Sequence, residues 1–184
     1  MSEIIENIKD EALRESLYMN YENAQEMVKF AEAKNAAVIA TSGAILSLTF
    51  NKLAFGNILE TLFSSGYFFL VLSLFTSFWA LYPIYPIYSL KRQITLDDNA
   101  EKEGVKLNLF VFSNIAQFPN SEVFLKSITR KYYPKRKLTP MEQDIVMSLY
   151  VSSNIALRKF WLFKYALTFF LIGCLLIVVF GPFK

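Results

Sequence analysis

From Thr61 to Leu90 the chain runs 30 residues without a charged side chain, between Glu60 and the pair Lys91-Arg92. About 20 apolar residues in a helix cross a bilayer, so this run is long enough to span one with residues to spare. A second block, Tyr165–Pro182, follows Arg158, Lys159 and Lys164 and contains the string CLLIVVF. Hydrophobic residues make up 54% of the chain and charged residues 19%, where a soluble domain carries about 25% charged. The apolar excess sits in blocks, which marks spans and not one large soluble core. The expected class is therefore an all-α integral membrane protein.

A third block, Ala36–Phe50, is 15 residues long, short of the usual range of about 17–25. Lys34 and Lys52 can snorkel at its two ends and extend its reach. Ala36, Ala37, Ala40, Ser42, Gly43 and Ala44 suit close helix packing in lipid. An interfacial or re-entrant helix is the alternative. The charges favour three spans. Twelve Lys or Arg residues lie between Lys91 and Lys159, against the single Lys52 between Asn51 and Glu60. The positive-inside rule then puts the long segment in the cytosol, with the N-terminus cytosolic and the C-terminus outside. The resulting division is a cytosolic amphipathic helix over 1–34, two transmembrane helices over 35–90, a small helical cytosolic region over 91–158, and a last span over 159–184. No apolar h-region precedes Lys34, so no cleavable signal peptide is expected.

Leu13, Leu17, Tyr21, Ala24, Val28 and Ala31 recur at helical spacing and form one apolar stripe, with Glu11, Glu15, Glu22, Glu26 and Lys29 off it. The stripe fits a helix packed on the cytosolic region or a self-associating coiled coil. No Pro or Gly interrupts 2–42, so that helix feeds directly into the first span. Asn108–Phe118 is apolar apart from Ser113-Asn114 and reads as a short strand or as a buried turn into a helix. Ser121–Thr129 reads as a short helix capped by Ser121. Thr139-Pro140-Met141-Glu142 has the pattern of a capping box with proline at the first helical position. From there no Gly or Pro occurs until Gly173, so one helix is expected to run from the cytosol into the last span. Between the two helices, RKYYPKRK, Arg130–Lys137, is a basic cluster interleaved with tyrosine.

The chain has no histidine and one cysteine, Cys174, inside an apolar block. Histidine-based acid–base chemistry, His metal sites and intrachain disulfides are excluded. No Walker loop, dinucleotide fingerprint or Cys–His cluster is present. The chain is expected to be non-enzymatic, with no cofactor and no metal. Its formal charge of +3 points to no nucleic-acid partner.

The order of motifs resembles the transmembrane effector family of Pycsar anti-phage systems. The opening motif of that family is similar to Glu32-Ala33-Lys34-Asn35-Ala36-Ala37, with Glu32 where Asp is more common. FWALYPIYP resembles its aromatic- and proline-rich span end. Asn108–Phe118 resembles its aromatic-rich segment, with Asn114 where Asp is frequent. Asp144-Ile145 through Ala156, and Lys159-Phe160 to Ala166, resemble its closing helix. The likeness covers about Tyr21 to Phe180, with no appended HD-type hydrolase.

The resemblance implies an effector in the bacterial inner membrane, multi-pass and oligomeric. It implies sensing of cyclic CMP or cyclic UMP from a partner pyrimidine cyclase, followed by impairment of the bilayer. A non-catalytic scaffold or sensor subunit is the alternative. For such a ligand the basic cluster offers Arg130, Lys131, Tyr132, Tyr133, Lys135, Arg136 and Lys137; anchoring to anionic lipid headgroups is the other reading of the same cluster. Glu32, Lys34, Asn114, Asp144, Asn154 and Lys159 are the expected structural and coupling residues. Lys34 is expected either to meet Asp144 or Asn154 or to anchor at the interface, and the helix through Asp144 and Asn154 to carry the signal without a hinge.

Overall fold

The computed structural model describes residues 2–50, 65–82, 108–109, 111–134 and 137–180. These form five helices: α1 Ser2–Phe50, α2 Ser65–Leu81, α3 Phe112–Ile115, α4 Ser121–Tyr132 and α5 Pro140–Phe180. The described residues contain no strand, so Asn108–Phe118 takes the turn-and-helix alternative. The chain divides into two compact units, Met1–Val28 with Ile84–Leu157 and Lys29–Pro83 with Arg158–Lys184. α1 and α5 each contribute residues to both.

The first unit has an aromatic and aliphatic core. Leu17 and Ala24 of α1 meet Ile115, Phe124, Ile128, Tyr133, Leu138, Val146 and Leu149. The apolar stripe of α1 is therefore consumed within the chain's own core, which is the packing reading and not the self-associating coil. Burying side chains of this size contributes roughly 1.5–3 kcal/mol each. Phe124 lies at 5.3 Å from the Phe118 ring and 6.1 Å from the Tyr150 ring, and the Tyr150 hydroxyl donates to the Phe118 carbonyl at 3.0 Å.

The starts of α4 and α5 have identifiable caps. Asn120, not Ser121, caps α4, its side chain accepting from the Val123 amide at 2.8 Å. An Asn in extended conformation just before the helix satisfies an orphan donor better than the serine already inside it. At α5 the capping box is formed as expected. The Thr139 amide donates to Glu142 Oε2 at 2.8 Å, and the Glu142 amide donates to Thr139 Oγ1 at 3.3 Å. α5 then continues for 41 residues.

In the second unit α5 packs on α1 and α2 through small or short residues. Gly66, Leu70, Ser73, Ser77 and Ala80 form the buried face of α2. Gly66 and Gly173 bring the α2 and α5 backbones together: a Cβ on Gly173 would lie 2.9 Å from the Gly66 carbonyl oxygen. Ser73 Oγ donates to the Ala166 carbonyl at 2.8 Å. Residue numbers rise on one helix as they fall on the other, so α2 and α5 are antiparallel. On the other faces Phe68, Phe75, Phe78 and Trp79 of α2, and Leu171, Leu175 and Val178 of α5, are exposed. An apolar exterior around a small-residue interior is the pattern of helices packed in lipid.

Among the described residues one helix, Pro140–Val179, is long and apolar enough to cross a membrane, and Gly66–Leu81 is a shorter apolar helix. The count of three spans expected from the sequence is not reached on this criterion. Ala36–Phe50 is the end of α1 and not a separate helix. Thr61–Ser64 and Pro83–Leu90, which include Pro83 and Pro86, lie outside the described residues.

Candidate functional site

α4 positions the basic residues of the first unit. Phe124 and Ile128 turn into the core, and the i, i+4 pair Lys126 and Arg130 lies on the exposed side. The chain leaves the helix at Tyr133, which is itself buried, and Pro134 cannot continue it. The return to α5 brings Lys137 and Gln143 back beside α4. Together Lys126, Thr129, Arg130, Tyr133, Lys137 and Gln143 line an open groove of about 620 Å³, floored by Leu125 and Leu138. That volume lies within the range of about 300–1,000 Å³ that holds small ligands.

The groove suits an anion. Three of its lining residues are cationic and none is acidic. Of the two carboxylates flanking Gln143 in sequence, Glu142 is buried and committed to the Thr139 cap and to Arg14 Nε at 3.5 Å, and Asp144 is exposed. Gln143 is held in place by its own donation to the Leu138 carbonyl at 2.9 Å. The set thus offers cations for a phosphate and an amide for a polar edge.

Of the residues expected in a ligand site, Arg130 and Tyr133 line the groove. Lys131 instead lies over the Tyr132 ring at 5.5 Å, and Tyr132 packs on the core. Burial pushes the Tyr132 hydroxyl above its usual value of 10.0, so it is a neutral group. Lys135 and Arg136 lie outside the described residues. Lys137, the last residue of the basic cluster, also lines the groove; Lys126 and Gln143 complete it from outside that cluster. The i, i+4 spacing of Lys126 and Arg130 carries a signal for the first; nothing local in the sequence brings Gln143 to the same place.

The coupling residues fall elsewhere. In the second unit Lys159 pairs with Glu32. Lys34 lies over three rings, at 4.3 Å from Phe30, 5.3 Å from Phe163 and 5.6 Å from Phe160. These aromatic faces attract an ammonium while letting its stem lie on apolar surface. Asn35 is fully buried and donates to the Ala31 carbonyl at 2.8 Å and the Lys159 carbonyl at 3.4 Å. In the first unit the Asn154 amide donates to the Tyr150 carbonyl at 2.9 Å, Asn114 donates to the Asn108 carbonyl at 3.2 Å, and Asp144 is exposed.

The Pycsar effector protein SaPycTM of Staphylococcus aureus is 27% identical over 149 residues, which are 80% of this chain and 89% of that protein. No solved structure matches the chain. A family model described as the Pycsar effector protein domain matches residues 16–183, and by that match over most of its length the chain belongs to the Pycsar effector family.

Proposed function

We propose that this protein is a membrane effector of a bacterial anti-phage system that binds cyclic CMP or cyclic UMP, made by a partner pyrimidine cyclase, and then impairs the inner membrane. The observation that carries the ligand half is the groove beside α4, lined by Lys126, Arg130 and Lys137 and by no carboxylate. A cyclic mononucleotide has one phosphate charge, which such cations bind by charge-assisted hydrogen bonds. Its pyrimidine has an edge for the Gln143 amide. No step of this mechanism makes or breaks a bond in the ligand.

Family membership supports the anti-phage role, and the apolar length of α5 supports the membrane. Three spans remain the topology we favour. α2 is antiparallel to α5, as a descending span beside an ascending one would be. α1 runs parallel to α5, since Phe30 meets Phe160 and Lys34, one turn on, also meets Phe163, as two spans leaving the same side would be. The N-terminus and the basic groove are then cytosolic, on the side where the nucleotide is made.

The test is calorimetry of purified protein with cyclic CMP and cyclic UMP. Arg130→Ala with Lys137→Ala should weaken binding by at least about tenfold, since each loses a charge-assisted bond worth roughly 1.5–3 kcal/mol. Unchanged affinity would move the site away from the groove. Binding of neither nucleotide, together with loss of binding to anionic vesicles in the same variant, would favour a headgroup anchor and a scaffold role.

A further inference from the structure

The interior of the second unit carries more polar oxygen than its hydrogen bonds use. Asn35, Ser42, Ser73 and Ser77 are all fully buried. Ser73 is bonded to the Ala166 carbonyl. Asn35 Oδ1, Ser42 Oγ and Ser77 Oγ have no hydrogen-bond partner among the described residues. Nearby hydroxyls on the same helices behave differently. Thr41, Thr76 and Thr168 each donate to the carbonyl one turn back, at 2.7–2.8 Å. Ser42 and Ser77 have the same chemistry and the same helical backbone, yet point their oxygens into the bundle.

The helix registers place these atoms along one stretch of the bundle. Asn35 reaches the α5 backbone at Lys159 and Ser73 reaches it at Ala166. Ser77 is one turn beyond Ser73 along α2, which runs antiparallel to α5, and so falls between those two levels. Ser42 is two turns beyond Asn35 on α1, which runs parallel to α5, at the level of Ala166. The polar zone therefore covers about two turns of α5. At its Asn35 end stands the ion pair of Glu32 and Lys159, where the Glu32 side chain is 45% exposed. Buried oxygens without protein partners are met by internal water, which needs two to four polar neighbours. Polar side chains in spanning helices face a bundle interior or a water-filled cavity.

We infer that Asn35, Ser42 and Ser77 line an internal water path in the helix bundle, open to the cytosol past Glu32 and Lys159. Within the function proposed above, this path is the cytosolic entry of the leak. Its existence is independent of any cyclic nucleotide.

Substituted-cysteine labelling of the full chain in membrane vesicles decides the matter, in a Cys174→Ala background. Ser42→Cys and Ser77→Cys are near-isosteric and preserve packing. A small cationic methanethiosulfonate reacts only with a thiolate, which needs water. Both thiols should label at least about tenfold faster than Leu70→Cys, because a thiol in apolar surroundings keeps its proton. Leu70 is as buried as the serines, on the same face of α2, so it also reports any loosening of the fold. Phe75→Cys, on the exposed apolar face, sets the rate for a thiol facing lipid. If Ser42→Cys or Ser77→Cys labels no faster than Leu70→Cys, the water path does not exist. The measurement needs no phage and no nucleotide, so its failure would leave the effector reading standing, and failure of that reading would leave the labelling result intact.

Discussion

Lys159 on α5 and Glu32 on α1, 127 residues apart in the chain, form an ion pair in which the lysine side chain is 11% exposed and the carboxylate 45%. The two ends of the pair are thus unequally solvated. Removing the glutamate strands an ammonium that water reaches poorly, whereas removing the lysine leaves a carboxylate that water can still serve. Glu32→Ala should therefore destabilise more than Lys159→Ala, by about 1–3 kcal/mol for the first, the cost of an unsatisfied buried group. A double-mutant cycle on thermal unfolding in detergent should give a coupling above about 0.5 kcal/mol. Additive effects would mean that the pair contributes nothing to stability.

The glycine contact between α2 and α5 makes a second claim. A Cβ on Gly66 would lie 2.6 Å from Ile177 Cγ1 and 3.1 Å from the Gly173 carbonyl oxygen, and one on Gly173 would meet the Gly66 oxygen and Leu70. The neighbours include backbone atoms that cannot rotate away. Gly173→Ala should cost about 1–3 kcal/mol by overpacking, and Gly66→Ala a similar amount. A Cβ on Gly43 would meet nothing within 4 Å among the described residues, so Gly43→Ala should be neutral or slightly stabilising on helix propensity. Equal melting temperatures for Gly43→Ala and Gly173→Ala would refute the close approach.

Tyr150 links packing to pH. Burial pushes its hydroxyl above the usual value of 10.0, and the hydrogen bond with Asn154 opposes this only in part. Its proton is also the one donated to the Phe118 carbonyl. The folded state holds that proton more tightly than the unfolded chain does. The associated stability is present in full below pH 10, and is lost as pH rises from there through the elevated folded value. Tyr132 shifts in the same direction for the same first cause. Tyr150→Phe should lower stability near neutral pH by about 1 kcal/mol and flatten the alkaline slope. An unfolding midpoint with the same pH dependence in wild type and variant would rule this out.

Much of the helical plan can be read from the residues because its causes are local. The Thr139–Glu142 box, the absence of Gly or Pro from Met141 to Ile172, and the stripe through Leu17, Ala24 and Ala31 each act within a few turns. Asn120 displaces Ser121 as the α4 cap because both are good caps and only backbone conformation distinguishes them. The pairing of Glu32 with Lys159 has no comparable signal. Both residues stand out singly, but an ion pair across 127 residues depends on the register of two packed helices, as does the convergence of Gln143 with Arg130. Lys34 shows the same limit: its aromatic partners Phe160 and Phe163 come from another helix.

The final expectation concerns transmission along α5. This helix contains Gln143, in the groove wall, and continues without interruption to Phe180. No residue between Pro140 and Gly173 is a glycine or proline, so the usual causes of a sharp bend are missing. For a ligand in the groove to act on the membrane it must favour one packing of α5 over another, and a stiff helix delivers that preference farther than a soft one. Val151→Gly with Ser152→Gly softens the helix while keeping its register; Val151 is exposed and Ser152 half-buried, so the core cluster is spared. Each glycine costs the helix about 1 kcal/mol relative to alanine, and Val151→Ala with Ser152→Ala is the matched control. The glycine variant should bind the cyclic nucleotide as wild type does, yet fail to depolarise cells when the nucleotide is supplied, while the alanine control does both. Full depolarisation by the glycine variant would show that the signal does not pass through a rigid α5.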